Sequence, residues 1–135
     1  MSAVREEVLP IREKTDIVRI RRRVREWSGA IGFGLVEQTK MITAASELAR
    51  NALDHGGGGE VELREVDLGG RRGLRLEFRD DGPGIPDVQR ALQDGFSTGT
   101  GLGLGLAGAS RLVNEFHIDS EPGCGTRVAI TRWLP

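Results

Sequence analysis

The sequence predicts an α+β fold, in which helices and antiparallel strands form a two-layer sandwich. Two periodicities support this prediction: apolar residues recur at helical spacing up to Asp54, and they alternate at strand spacing between Val61 and Phe78. In addition, the 135 residues contain no repeat and no linker that would divide them. We therefore expect a single domain, residues 1–135.

The first half of the chain is expected to contain one edge strand and two helices. Residues 3–12 predict a short strand, and the proline inside it places that strand at an edge of the sheet. Thr15-Asp16 offers an N-cap for the first helix, which is predicted to end at Gly29. A second helix is predicted from Val36 to Asp54, where the glycine run 56–59 stops it. The apolar positions that define the two helical faces are Ile17, Ile20, Val24 and Trp27, and then Ile42, Ala45, Leu48, Ala49, Ala52 and Leu53.

The second half is expected to supply the rest of the sheet. Alternating residues from Val61 to Val66 and from Leu74 to Phe78 predict a β-hairpin with its turn at Gly69–Gly73. The later elements are predicted to be a short helix from Asp87 to Gln93, a helix from about Leu102 to Phe116, and strands from His117 to Ser120 and from Thr126 to Trp133.

The composition argues against several classes of function. With 19 Lys and Arg against 20 Asp and Glu, the net charge of -1 gives no electrostatic reason to bind nucleic acid or an anionic membrane. A single cysteine, Cys124, excludes an internal disulfide, and only two histidines argue against a Cys/His zinc site. No apolar run approaches the roughly 20 residues of a membrane span, and the N-terminus lacks a signal-peptide core. We expect a cytoplasmic protein with no nucleic-acid or membrane partner.

The first predicted helix contains a run of five arginines. A run of this kind on an amphipathic helix is more often a solvated face than a docking patch, and both interpretations stay open. The five residues are Arg19, Arg21, Arg22, Arg23 and Arg25.

The glycine-rich segment Gly99 to Gly105 leads into a predicted helix. Glycines let the backbone approach a ligand, and a helix N-terminus presents unpaired N–H groups, so the combination suits phosphate. Gly103, Gly105 and Gly108 match a dinucleotide fingerprint in spacing, but no strand is predicted directly before them. No Gly-Lys-Ser/Thr of a Walker loop occurs, and the His-Arg-Asp and Asp-Phe-Gly motifs of eukaryotic-type kinases are absent.

Glu47 and Asn51 lie one turn apart in the second predicted helix and therefore share one face. Such a stripe belongs either to a solvated helix face or to a site for a metal ion and a base. Two further elements follow it, Asp80-x-Gly82-x-Gly84 and Gly123-x-Gly125-Thr126. Each of these is typical of an ordinary turn when it stands alone.

Taken in order, the four elements resemble the GHKL (Bergerat) ATP-binding fold of gyrase, the Hsp90 chaperones, histidine kinases and MutL. The resemblance implies a mixed, mostly antiparallel sheet covered on one face by helices. It also implies that Asn51 coordinates Mg²⁺, that Asp80 accepts a hydrogen bond from the adenine amino group, and that Thr126 supports adenine through a water. The glycines of the second element would keep the backbone clear of the base. The ATP-binding residues that it implies are Asn51, Asp80, Gly82, Gly84, Gly99, Thr100, Gly101, Leu102, Gly103, Gly105 and Thr126.

Within this family the chain is similar to the bacterial anti-sigma-factor serine kinases, and most to stressosome switch kinases of the RsbT type. The runs that resemble them are Ser46–Asn51, Asp81–Pro86 and Asp94–Thr98, together with the ending Trp133-Leu134. The similarity implies a serine/threonine kinase, dependent on ATP and Mg²⁺, that acts as a partner-switching regulator of a stress response. Glu47 would take the proton from the attacking hydroxyl. The implied partners are STAS-domain scaffold or antagonist proteins as substrates, and a PP2C-type phosphatase or another output protein downstream.

Two other functions stay open. One is a module that binds ATP and sequesters a sigma factor without chemistry, and the other is a histidine-kinase catalytic domain acting in trans. His55 directly follows the second helix, so we expect it at the surface or in a cap, not as a phosphate acceptor. One departure concerns the γ-phosphate, because some anti-sigma relatives have a basic residue where this chain has Phe96 to Gly101. Arg50, another arginine, or backbone N–H groups with Mg²⁺ would have to replace it.

Overall fold

A computed structural model describes residues 2–85, 87–92 and 105–135. The described strands form one sheet in the order β1-β2-β3-β5-β4, and every pairing in it is antiparallel. The predicted α+β fold is confirmed, with no parallel pair among these strands. In chain order the elements are β1 (Ser2–Ile11), α1 (Lys14–Ile31), α2 (Leu35–Asp54), β2 (Gly59–Leu68), β3 (Arg71–Asp80), α3 (Val88–Ala91), α4 (Gly105–Arg111), β4 (Glu115–Ser120) and β5 (Thr126–Trp133).

The two long helices form the second layer of the sandwich. Helices α1 and α2 pack against each other and onto the sheet, and α4 packs against α2. Because side chains alternate along a strand, every second residue of the central strands points into the core between the layers. Burial of each large core side chain contributes about 1.5–3 kcal/mol to folding. Those buried most completely include Ile20, Val24 and Trp27 of α1, Met41 and Leu48 of α2, and Val61, Leu63, Leu74, Leu76 and Ile130 of the sheet.

Strand β1 occupies the edge that the sequence predicts for it. Among the described strands it pairs with β2 alone, and Pro10 lies opposite Glu60 near the end of that ladder. A proline is tolerated at an edge because its missing N–H removes no interior hydrogen bond. The edge position leaves β2 and β3 as the central hairpin, whose far end reaches Asp80.

Helix α1 begins earlier and ends later than the sequence indicates. Its N-cap is Glu13, and Asp16 in the first turn accepts hydrogen bonds from the backbone N–H groups of Arg12, at 2.8 Å, and Glu13, at 3.1 Å. Asp16 therefore acts from inside the helix, and the predicted cap at Thr15-Asp16 was wrong. The predicted end at Gly29 was also wrong, since the helix continues to Gly32, which has a φ of 112° and closes it in the left-handed conformation.

The predicted β-hairpin is confirmed, with a tighter turn than expected. Only Gly69 and Gly70 form the turn, with φ of 61° and 88°. Two successive positive φ values suit a two-residue hairpin turn and favour glycine at both positions. Gly73, which the sequence placed in the turn, lies within β3 opposite Trp133, where a side chain would strike the indole ring.

The later elements agree with the predictions except at their ends. The short helix is the single turn Val88–Ala91, and β5 runs from Thr126 to Trp133 as predicted. Helix α4 ends at Arg111 and not at Phe116, because Asn114 already donates its backbone N–H to Thr131 of β5 and β4 begins at Glu115. The predicted first residues of α4, 102–104, lie outside the described part of the chain.

The arginine run of α1 is largely a solvated face. Arg19, Arg22 and Arg25 are exposed, and Arg23 pairs with Glu7 of β1 at 2.6 Å. Arg21 differs from these, because its Nη1 donates to Ser46 Oγ of α2 at 3.1 Å. Of the helices in the described ranges, none is long and apolar enough to span a bilayer.

Candidate nucleotide and phosphoryl-transfer site

Helix α2 presents Glu47 and Asn51 on one face, one turn apart, as the sequence predicts. Glu47 is buried and Asn51 is half-buried, so this stripe is not the ordinary solvated face of a helix. A buried carboxylate needs a partner or a function, because its desolvation is unfavourable when it stands alone. The partner is on the same helix.

Arg50 is that partner. Its Nη1 donates to Oε1 of Glu47 at 3.0 Å, and the two side chains are 37% and 9% exposed, respectively. Among the described residues, no other group donates to the Glu47 carboxylate, which leaves Oε2 without a donor. Glu47 therefore has one oxygen held by a cation and one oxygen able to accept a proton.

The C-terminal end of α2 turns sharply toward strand β3. The Asn51 carbonyl accepts hydrogen bonds from the backbone N–H groups of His55, at 3.0 Å, and Gly56, at 3.3 Å. His55 caps the helix, as its position in the sequence predicts. Gly56 follows and lies so close to Asp80 that a Cβ on it would stand 2.6 Å from Asp80 Oδ1. The last turn of α2 and the end of β3 are therefore in contact.

Asp80 is the last residue of β3, and its carboxylate is held from one side. Oδ1 accepts the backbone N–H of Gly82 at 2.9 Å. Burial raises the pKa of Asp80 above its ordinary 3.8, while the backbone N–H groups of Gly82 and Thr126 act to lower it and the charge of Asp81 acts to raise it. The carboxylate is thus partly desolvated and already oriented, as a group that recognises a hydrogen-bond donor should be.

The glycines around Asp80 allow three backbone segments to meet. A Cβ on Gly82 would come within 2.5 Å of Gly56 Cα. Gly84 and Gly125 have φ of 79° and 80°, and a Cβ on either would strike a backbone carbonyl. Loop packing is thus a sufficient reason for these glycines, and clearance for a bound base stays a prediction.

Thr126 enters the site through a hydroxyl network that the sequence did not indicate. Its Oγ1 lies 2.8 Å from Ser120 Oγ, and Ser120 Oγ accepts the backbone N–H of Ile85 at 2.7 Å. Ser120 therefore joins the end of β4 to the start of β5 and to the loop after Asp80. A serine before a Glu-Pro-Gly turn gives no signal of such a role, so sequence reasoning had no means of finding it.

The predicted glycine-rich segment lies mostly outside the part of the chain that the structure describes. Gly99, Thr100, Gly101, Leu102 and Gly103 all fall outside the described residues. Gly105 opens α4 with a φ of 49°, which favours glycine at that position.

A cleft of about 440 Å³ lies beside Asp80 and Thr126. Arg79 and Arg127, which also line it, alternate with the core-facing Phe78 and Val128, so the cleft opens on the sheet face opposite the helices. Neither Glu47 nor Asn51 lines it. We therefore do not assign the nucleotide to this cleft.

The donor groups fit a magnesium ion that arrives with a nucleotide. Within residues 2–85, 87–92 and 105–135, no group of three or more His, Cys, Asp or Glu side chains could hold a metal alone. Asn51 offers one amide oxygen, the type of ligand that Mg²⁺ prefers. Mg²⁺ usually completes its shell with waters and phosphate oxygens, so one protein ligand is compatible with it.

Comparison with known proteins identifies the family. A family model described as histidine kinase-, DNA gyrase B- and HSP90-like ATPase matches residues 36–135. The chain is 44% identical over 119 residues to the serine/threonine-protein kinase RsbT of Bacillus subtilis (strain 168), covering 88% of this chain and 90% of that protein. It is 35% identical over 105 residues to the anti-sigma F factor of Bacillus licheniformis, covering 73% of this chain and 70% of that protein.

A solved structure has the same fold. The crystal structure of the RsbU and RsbW domains of Rv1364c from Mycobacterium tuberculosis matches with a TM-score of 0.66 at 23% identity. The match covers 98% of this chain but only 34% of the other, so this chain spans about a third of that protein's length. The ATP-binding family predicted from the four sequence elements is confirmed: the chain belongs to the histidine kinase-, DNA gyrase B- and HSP90-like ATPases and, among them, to the serine/threonine-protein kinases similar to RsbT.

Proposed function

We propose that this protein transfers the γ-phosphoryl group of ATP to a serine or threonine of a partner protein, and that it works as a partner-switching regulator. The observation on which the proposal rests is the buried Glu47 carboxylate, one turn before Asn51, with no donor to its Oε2 among the described residues. Family membership supplies ATP binding. The geometry of α2 supports a role for Glu47 in chemistry.

Asp80 recognises the adenine in this proposal. Its carboxylate accepts a hydrogen bond from the exocyclic amino group, where guanine would present a carbonyl, so the site prefers ATP to GTP. The contact with Gly82 fixes the carboxylate before the nucleotide arrives. Thr126, held by Ser120, supports the base from the neighbouring strand. The glycine-rich segment from Gly99 to Gly103, with Gly105, is proposed to bind the phosphates.

Asn51 is the protein ligand of Mg²⁺ in the proposal. The ion, when bound, supplies positive charge against the triphosphate. The Asn51 backbone carbonyl is used in the α2 cap by the N–H groups of His55 and Gly56. No described residue hydrogen-bonds its side-chain amide, which is the group that would hold the ion. The half-buried position of Asn51 limits competition from bulk water.

Glu47 is the catalytic base. The hydroxyl oxygen of the partner's serine or threonine attacks the γ-phosphorus, and the bond from that phosphorus to the bridging oxygen breaks. The bridging oxygen leaves on ADP with the electron pair of that bond, and the hydroxyl proton passes to Oε2 of Glu47. Positioning and electrostatic stabilisation supply most of the rate in such transfers, and a base adds roughly 10²–10⁴-fold.

The proposed substrates are STAS-domain scaffold or antagonist proteins of a bacterial stress-response (stressosome) pathway. In the partner-switching scheme, phosphorylation of the substrate releases the kinase, which then binds a PP2C-type phosphatase or another output protein. The 44% identity to RsbT along most of both chains supports this assignment.

A second candidate is a module that binds ATP and sequesters a sigma factor. Its support is the 35% identity to a protein named as an anti-sigma F factor. This hypothesis gives the buried Glu47 no task, whereas the kinase hypothesis does.

The test is a transfer assay with γ-labelled ATP, Mg²⁺ and a purified STAS-domain protein from the same organism. The kinase hypothesis predicts an acid-stable phosphoester on serine or threonine of that protein. An acid-labile phosphohistidine would indicate a histidine-kinase domain acting in trans. Binding of a sigma factor with no transfer would support the sequestering module.

A further inference from the structure

We infer that Arg50 is a positioning residue that holds the Glu47 carboxylate in the orientation needed to accept the substrate proton. This inference rests on the proposed kinase function. It gives Arg50 a different task from direct contact with the γ-phosphate, which is the other role open to an arginine at this place in the chain.

The ion pair with Arg50 gives the two carboxylate oxygens of Glu47 different roles. Arg50 Nη1 donates to Oε1 of Glu47 at 3.0 Å, and no described group donates to Oε2. Rotation of the carboxylate would break the contact with Arg50, so the ion pair fixes the direction in which Oε2 points. A catalytic base must lie within hydrogen-bond reach of the proton that it takes, so its direction matters as much as its basicity.

The charges favour the same role. Glu47 is buried, and in the proposed complex it would lie near a triphosphate that carries several negative charges. An unpaired carboxylate in that place would be repelled from the nucleotide and would be costly to desolvate. Arg50 supplies the compensating charge from the solvent side, where its own side chain stays 37% exposed.

A contact from helix α1 restrains the segment of α2 that carries this pair. Ser46, directly before Glu47, accepts a hydrogen bond from Arg21 of α1 at 3.1 Å. The backbone that carries Glu47 is therefore fixed to α1, and the carboxylate direction is left to Arg50. A shift of about 1 Å in a reacting group can lower a rate by about 10²-fold, so a loss of this restraint should be visible in the kinetics.

The sheet offers a matched control. Arg64 and Glu62 of β2 form an ion pair at 3.0 Å, with side chains 38% and 13% exposed, which is nearly the distance and exposure of Arg50 and Glu47. This pair lies on the sheet face opposite the helices. Arg64→Ala therefore removes a comparable charge pair, together with the longer contact of Arg64 with Glu6 at 3.9 Å, on a face away from the proposed chemistry.

The experiment is a double-mutant cycle on the full chain with Arg50→Ala, Glu47→Gln and the two combined, plus Arg50→Lys and Arg64→Ala. Phosphotransfer to the STAS-domain protein gives kcat, calorimetry gives the ATP dissociation constant, and thermal melting checks the fold.

We expect Arg50→Ala to lower kcat about 10- to 100-fold with an ATP affinity within about twofold of wild type. In the Glu47→Gln background Arg50→Ala should slow transfer no further, because the base it positions is already lost. Arg50→Lys, which keeps a cation, should recover most of the rate, and Arg64→Ala should transfer normally.

Three results would overturn the inference. A normal kcat for Arg50→Ala, with wild type active and Glu47→Gln impaired, would refute positioning and leave the kinase function intact. Losses that multiply in the double variant, together with about tenfold weaker ATP binding, would assign Arg50 to the phosphates instead. Absence of transfer by the wild type would refute the kinase function itself and the inference with it.

Discussion

Gly56, just past the end of α2, lies directly against the side chain of Asp80 at the end of β3: a Cβ on Gly56 would stand 2.6 Å from both Cβ and Oδ1 of that aspartate. This contact joins the helix that carries Glu47 and Asn51 to the strand that ends in the proposed adenine-binding residue. The two halves of the candidate site are thus positioned by packing of the Gly56 backbone against the Asp80 side chain.

Gly56→Ala should therefore disturb Asp80. Gly56 does not have a positive φ, so the effect should come from steric overlap with Asp80, not from backbone strain. We expect a loss of about 1–3 kcal/mol in the free energy of unfolding, as for other overpacked sites, together with weaker ATP binding. Gly29→Ala in helix α1 is the control, because outside the nearby backbone of that helix its new Cβ would meet, among the described residues, only Gln38 Nε2 of α2 at 3.9 Å. It should stabilise the protein by about 0.5–1 kcal/mol. Denaturant unfolding and calorimetry measure both variants, and unchanged ATP affinity in Gly56→Ala would disprove the coupling.

Asp80→Asn should weaken ATP binding without lowering the stability of the ligand-free protein. Loss of a charge-assisted hydrogen bond to adenine should lower ATP affinity about 10- to 100-fold in calorimetry. Asp81→Asn neutralises the exposed neighbour and should change affinity little. An Asp80→Asn variant that binds ATP as tightly as wild type would remove Asp80 from the site.

The same substitution should also change how stability depends on pH. Burial raises the pKa of Asp80 in the folded protein, so the folded state holds this proton more tightly than the unfolded chain does. Between the ordinary value of 3.8 and the raised folded value, this group's contribution to the unfolding free energy therefore falls as pH rises. At neutral pH the wild type carries the full penalty, so the ligand-free Asp80→Asn protein should be at least as stable as wild type. In denaturant titrations that advantage should shrink as pH falls from the raised folded value toward 3.8, and it should be lost below 3.8. An advantage that grows as pH falls would show that burial of the charged carboxylate is not the cause.

Asn51→Ala should abolish the effect of Mg²⁺ and leave Mg²⁺-free nucleotide binding in place. Alanine suits a helix, and the α2 cap uses only the Asn51 backbone carbonyl, so the fold should survive. We expect phosphotransfer to collapse and Mg²⁺ to lose its effect on ATP affinity, while binding without Mg²⁺ persists. Thr39→Ala, an exposed change on the same helix, serves as control. Normal phosphotransfer by Asn51→Ala would show that Asn51 belongs to an ordinary helix face and is not a ligand of Mg²⁺.

Local sequence signals predicted the elements well where the period was unambiguous. Helix α2 and strand β5 begin and end within one residue of their predicted bounds, because each has a clear apolar period that is flanked by glycine or polar residues. The ends of α1 and α4 were missed because contacts beyond the local apolar period decided them. Asp16 caps α1 from its first turn, and the pairing of Asn114 with Thr131 ends the helical stretch before Phe116.

The candidate site was predictable as a set of motifs and not as a set of contacts. Glu47 and Asn51 share a face simply because they are four residues apart, which any helix guarantees. The contact of Gly56 with Asp80 and the bridge through Ser120 join residues that are far apart in the chain, so no local sequence pattern predicts these contacts. The Arg50 contact is local, but spacing alone does not distinguish it from an arginine that points at phosphate.

Whether Glu47 acts as the base is decided by phosphotransfer from Glu47→Gln beside wild type, with a pull-down of the same STAS-domain protein. Glutamine keeps the size of the side chain and a hydrogen-bonding oxygen but cannot accept the substrate proton as a carboxylate does. We expect transfer to fall roughly 10²–10⁴-fold while ATP affinity and partner binding stay at wild-type levels. Undiminished transfer by Glu47→Gln would show that Glu47 is not the base and would contradict the proposed mechanism.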